Sequence, residues 1–150
     1  MNFIVKPLLL IGIALLVNNC ASKPTHLELI VKSNKDLNPN NNNVPSPMVL
    51  MMYELQDDAA FMKLDFWSLT DDAKKTLDGT LISQSKHLLV PDENQTYKIL
   101  FDKNAKYIGL VGGFRNIDKG SQWRYIKALK NDQYNRIELN VSNNTIKEVK

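Results

Sequence analysis

The chain has 150 residues, 43% of them hydrophobic and 23% charged, with a formal net charge of +3. That length and apolar content suit one domain with its own core rather than two. The charge is too small, and the lysines and arginines too dispersed among acids, for a nucleic-acid surface. One cysteine and two histidines far apart, His26 and His87, exclude an internal disulfide and do not make a metal-ligand cluster.

The first stretch carries Lys6 and then the apolar run PLLLIGIALLV. As a helix that run is about 16 Å long, roughly half of a bilayer's hydrocarbon core, so it reads as a secretory signal and not a membrane span. Export changes the meaning of Cys20. A catalytic thiol would need a neighbouring base and a pocket, and Cys20 stands at the edge of the leader instead. What is left is an attachment point: a thioether to diacylglycerol, with an N-acyl chain on the new N-terminus. Val17, Asn18 and Asn19 depart from the Leu–small–Gly/Ala pattern that precedes such a cysteine. Residues 1–19 are expected to be a signal peptide, 20–25 a lipidated tether and 26–150 the folded domain. Ala21 and Ser22 supply no aspartate of the inner-membrane retention kind, which points to the outer membrane.

Beyond the tether the period is mainly two, which predicts strands over 26–33, 47–56, 81–90, 96–102, 106–115, 123–129, 134–141 and 145–149. The run at 47–56 is apolar on both faces and is expected to be central. NKDLNPNNNNVPS (34–46) cannot be regular structure, with an Asn-Pro step, four consecutive asparagines and a further proline. Between the second and third strands, 57–79 changes period and predicts a helical insertion. Ala60, Phe61, Leu64, Trp67 and Leu77 are its candidate buried positions, Asp57 a cap, Ser68–Asp71 a capping box and Gly79 the stop. Eight short strands interrupted once by helix predict a β-sandwich.

The chemistry of catalysis is not visible. Asp57-Asp58 and Asp71-Asp72 stand where helix starts favour negative charge. Gly112-Gly113 has no phosphate-binding fingerprint and falls inside a strand, where close packing or a bulge is the expectation. Trp67, Trp123, Tyr53, Phe101 and Phe114 are assigned to the core. An enzyme is not expected.

Taken in order, PSPMVLMMYEL (45–55), DDAAFMKLDFWSL (57–69), Leu89-x-Pro91, YIGLVGGFRNID (107–118) and WRY (123–125) resemble the type VI secretion lipoprotein family, often called TssJ. The resemblance implies a transthyretin-like two-sheet β-sandwich with a short helical insertion between the second and third strands. It implies no catalysis, and no cofactor other than the diacylglycerol and N-acyl lipid on Cys20. It implies anchoring on the periplasmic face of the outer membrane and binding to the periplasmic C-terminal domain of TssM, within a complex with TssL. Nucleic acid and small-molecule substrates are not implied.

The resemblance places much of that contact in the loop between the first two strands, here Asn34–Ser46. The candidate partner-binding residues are therefore Leu37, Asn38, Pro39, Asn40, Asn41, Asn42, Asn43 and Val44. Leu37 and Val44 would be apolar anchors at the interface. The other reading is that both pack on the sandwich while Asn40–Asn43 merely solvates a loop. Against the whole picture stands an exported small-ligand or carbohydrate-binding sandwich, which needs an aromatic platform or an apolar pocket. An inhibitor or periplasmic chaperone is a further alternative.

Overall fold

Residues 23–118 and 120–150 are described by the computed structural model; the leader, Cys20 and the first part of the tether lie outside the described residues. The strands are β1 (His26–Ser33), β2 (Met48–Leu55), β3 (Leu81–Leu89), β4 (Asn94–Leu100), β5 (Tyr107–Gly112), β6 (Arg124–Ala128), β7 (Tyr134–Ser142) and β8 (Thr145–Glu148). Each run expected from period two becomes a strand, with ends shifted by at most three residues. They form two four-stranded sheets, ordered β4-β1-β7-β8 and β3-β2-β5-β6. Every pairing is antiparallel except β1 with β7.

Strand patterning decides which faces are covered. In β1, Leu27, Leu29 and Val31 are buried between the sheets while Glu28, Ile30 and Lys32 face outward. The central strand β2 is buried on both sides: Leu50 and Met52 join the core between the sheets, and Met51, Tyr53 and Leu55 a second cluster beneath the helices. Ile108 and Val111 divide the same way in β5. An apolar run without alternation is what a strand covered on both faces requires.

The insertion that makes the second cluster is three short helices, α1 (Ala59–Lys63), α2 (Phe66–Asp71) and α3 (Ala73–Thr76). Asp65 restarts the chain as a helix by accepting from the Ser68 N–H (2.8 Å), and Asp72 does so from the Lys75 N–H (3.3 Å). The expected capping box at Ser68–Asp71 therefore lies inside α2, not at its start. Asp57 does accept from the Ala59 N–H, at 2.9 Å. Restarting at Asp65 also sets the helical phase. Phe66 and Leu69 turn inward, and Trp67, expected in the core, is 62% exposed. Trp123 is half-buried, while Tyr53, Phe101 and Phe114 are buried as expected.

Close approach holds the insertion to its sheet. The Phe61 ring lies where a Cβ on Gly109 would fall, 2.7 Å from its nearest atom. Gly112 similarly makes room for Phe114 (2.6 Å), which is the close packing expected of the glycine pair. Arg124 reaches across from β6, and one of its nitrogens donates to the carbonyls of Phe61 (2.7 Å) and Leu64 (2.8 Å). The Tyr53 hydroxyl donates to the Leu69 carbonyl (2.7 Å), and burial pushes its pKa up to about 12.

Candidate partner-binding loop

Strand direction alternates along the whole chain, so the connections after β1, β3, β5 and β7 gather at one end of the sandwich. Hydrogen bonds join them there: Asn34 to Val141, Asp92 to Asn34, and Asn38 to Asn143 (2.6 Å) through backbone groups. The chain enters at the opposite end, where Phe101 donates to the Thr25 carbonyl and Lys106 to Leu55. An eight-residue β1 separates the two ends by about 26 Å.

The loop over 34–47 is built around Asn38. This residue is 3% exposed and sits in the left-handed region with φ 47°. Its amide donates to the Pro47 carbonyl (2.9 Å), and its side-chain oxygen accepts from the Arg115 N–H (2.7 Å). Asparagine tolerates that backbone and can still bond locally, which explains the residue type. Leu37 is fully buried in the core between the sheets. It fastens the loop to the sandwich and offers no apolar anchor to a partner, which corrects half of the expected pair.

Beyond Asn38 the chain turns outward. Asn40 accepts from the N–H groups of Asn42 (2.9 Å) and Val44 (3.0 Å), and its own N–H donates to the Val44 carbonyl (2.9 Å). This small, self-bonded turn lifts Asn41, Asn42, Asn43 and Val44 into solvent, while Pro39 and Asn40 are half-buried. Val44 is 53% exposed and is the apolar residue at the tip. The asparagine run is a shaped turn, not a solvated string.

Residues outside the loop complete the surface. Arg115, Asn116, Asn143 and Asn144 line, with Asn38, Asn40 and Asn43, a polar cup of about 470 Å³. Sequence reasoning missed these four. The signal was available: alternating strand direction puts the turns after β5 and β7 beside the turn after β1.

A second concavity of about 470 Å³ lies between the edges of β3 and β4, with Met52, Ile99, Phe101 and Ile108 beneath it. It is the kind of concavity that a small ligand would enter. Its rim, however, is committed to itself: Ser83 donates to Glu54 (2.7 Å), Ser85 bonds His87 (2.9 Å), and the His87 and Tyr97 rings meet at 4.6 Å. Tyr97 is bonded to Gln95, and burial raises its pKa. Polar groups that converge on a ligand are the mark of a binding pocket, and here they converge on one another. Among the described residues no group of three or more His, Cys, Asp or Glu is placed to hold a metal ion, and no helix is long and apolar enough to cross a membrane.

The family model described as T6SS-SciN, the type VI secretion lipoprotein family that includes VasD, EvfM and TssJ, matches residues 25–144. The crystal structure of the T6SS lipoprotein TssJ1 from Pseudomonas aeruginosa is similar, with a TM-score of 0.81 and 28% identity over 84% of this chain and 95% of that one. Serratia marcescens Lip, a membrane-bound component of the type VI secretion system, gives a TM-score of 0.78 at 24% identity, over 85% of this chain and 99% of that one. A chain in a structure described as the T6SS protein TssM C-terminal domain from EAEC gives 0.72 at 24% identity, over 84% and 98%. At these last two identities the likeness is one of fold. Comparison with curated protein sequences finds no significant match.

Proposed function

This chain belongs to the type VI secretion lipoprotein family, and from that premise we propose how it works within the secretion system. It is an assembly subunit and not an enzyme. Lipid on Cys20 holds it to the periplasmic face of the outer membrane, and the loop end of the sandwich binds the periplasmic C-terminal domain of TssM, in a complex that includes TssL.

The observation that carries this reading is the placement of the loop. A subunit that bridges a membrane and a partner needs its two attachments at opposite ends of a rigid body. Here the tether and the loop are separated by the length of the strands, and Asn38 fixes the loop to the turns beside it. A preformed loop loses little entropy on binding. Val44 offers a small apolar contact at the tip, and Arg115 with its neighbouring asparagines offers a polar surround, which is the usual division of an interface.

Calorimetric titration of the leaderless chain with the TssM C-terminal domain tests this. Val44→Asp and Arg115→Glu are each expected to weaken binding about tenfold or more, a loss of about 1.4 kcal/mol. Met62→Asp, an exposed position on the insertion, is expected to leave it unchanged. Unchanged affinity for both loop variants would place the contact elsewhere.

A further inference from the structure

We infer that the end of the sandwich from which the tether emerges rests on the lipid surface itself, with Leu100, His26 and Tyr134 as its contact row. The inference rests on the acylation of Cys20 and adds an orientation to it.

The tether leaves little room for anything else. Thr25 is buried and already part of the domain: its carbonyl accepts from the Phe101 N–H (3.0 Å) and its hydroxyl from the Asp132 N–H (2.8 Å). Only Ala21 to Pro24 separate that fixed point from Cys20, so Thr25 stands at most about 18 Å of extended chain from it. A domain about 26 Å tall on so short a leash meets the headgroups with whatever its near end presents.

That end presents an apolar and aromatic row. His26 pairs with Leu100 on one side and Tyr134 on the other, so the three stand abreast on the outer face of the β4-β1-β7-β8 sheet. Leu100 is 69% exposed and Tyr134 53%, and the His26 and Tyr134 rings meet edge-on at 5.2 Å. Lys98 and Lys23 flank the row with ammonium groups, while the nearby Glu28 carboxylate is held by the Tyr134 hydroxyl and Arg136. Apolar and tyrosyl groups beside lysine are the composition that lies at the headgroup level of a bilayer. The exposed acids at this end, Asp102 and Asp132, stand in the turns after β4 and β6 with Lys103 and Lys130 beside them.

The test uses the full acylated protein reconstituted in phosphatidylethanolamine–phosphatidylglycerol vesicles. Acylated Cys20 has no free thiol, so Leu100→Cys can be labelled alone with an environment-sensitive fluorophore, with Val44→Cys as the far-end control. The label at 100 is expected to lose most of its emission to a lipid-borne nitroxide, and the label at 44 to lose little. If the protein floats with the vesicles but both labels are quenched alike, the anchor stands and the surface contact is overturned. The contact is overturned as well if neither label is quenched, as when a protein partner covers the row. If the protein does not float with vesicles, the acylation reading fails and takes this one with it.

Discussion

Replacing Asn38 with alanine removes the lock that shapes the loop. The side chain bridges the Pro47 carbonyl and the Arg115 N–H, at 2.9 and 2.7 Å, in a site 3% exposed. Alanine leaves both groups unpartnered, at about 1–3 kcal/mol each for full burial and toward the low end here, where they are partly buried. It also has to adopt φ 47°, which costs an L-residue about 1–2 kcal/mol. The expected loss is therefore about 3–5 kcal/mol, a large share of the stability of a domain this size. Urea unfolding followed by tryptophan fluorescence measures it, with an unchanged m-value required for the comparison. Asn38→Gly accepts the backbone angle and is expected to recover about 1 kcal/mol relative to alanine. A loss below about 1 kcal/mol for Asn38→Ala would refute the lock, and the loop would then be held by its backbone bonds alone.

Three further outcomes follow from the packing. Gly109→Ala drives a methyl into the Phe61 ring and is expected to destabilise by about 1–3 kcal/mol in thermal or urea unfolding; adding Phe61→Leu should relieve part of that loss, and strict additivity would contradict the contact. Arg124→Lys keeps the charge but cannot span the carbonyls of Phe61 and Leu64, so amide exchange should accelerate across 59–77 while the strands stay protected. Hydrogen bonds from Lys127 to Glu148, from Lys32 to Glu138 and from Tyr134 to Glu28 hold all three carboxyls below their ordinary value of 4.5. Lowered values in the folded state mean that their contribution is present above 4.5 and is lost as pH falls through the folded values, so the urea midpoint should drop on acidification below about pH 5. Glu148→Gln should flatten that acid limb, and an unaltered profile would remove Glu148 from the explanation.

The two sheets were legible in the sequence because each strand has one of two simple signatures. β1 and β7 alternate; β2 and β5 do not, because the insertion covers their second face. The insertion was legible as helix but not in phase. Helices of four to six residues carry too few positions to define a face, and a cap at Asp65 shifts the register by one residue, enough to exchange Phe66 for Trp67. The loop was legible as a loop. Its internal division was not, because Leu37 and Val44 are equivalent in composition and differ only in what the fold places around them. Asn38 is informative in retrospect: an asparagine that must be buried and left-handed shows no period, and its partners Pro47, Arg115 and Asn143 are distant in sequence.

Amide hydrogen exchange of the leaderless protein, with and without the TssM C-terminal domain, tests the central claim most directly. New protection is expected in peptides covering 34–47, 114–122 and 143–145, the turns that share the loop end, with the insertion at 59–77 unaffected. Protection confined to the insertion or to the β3–β4 edge, with the loop end exchanging as freely as before, would contradict it.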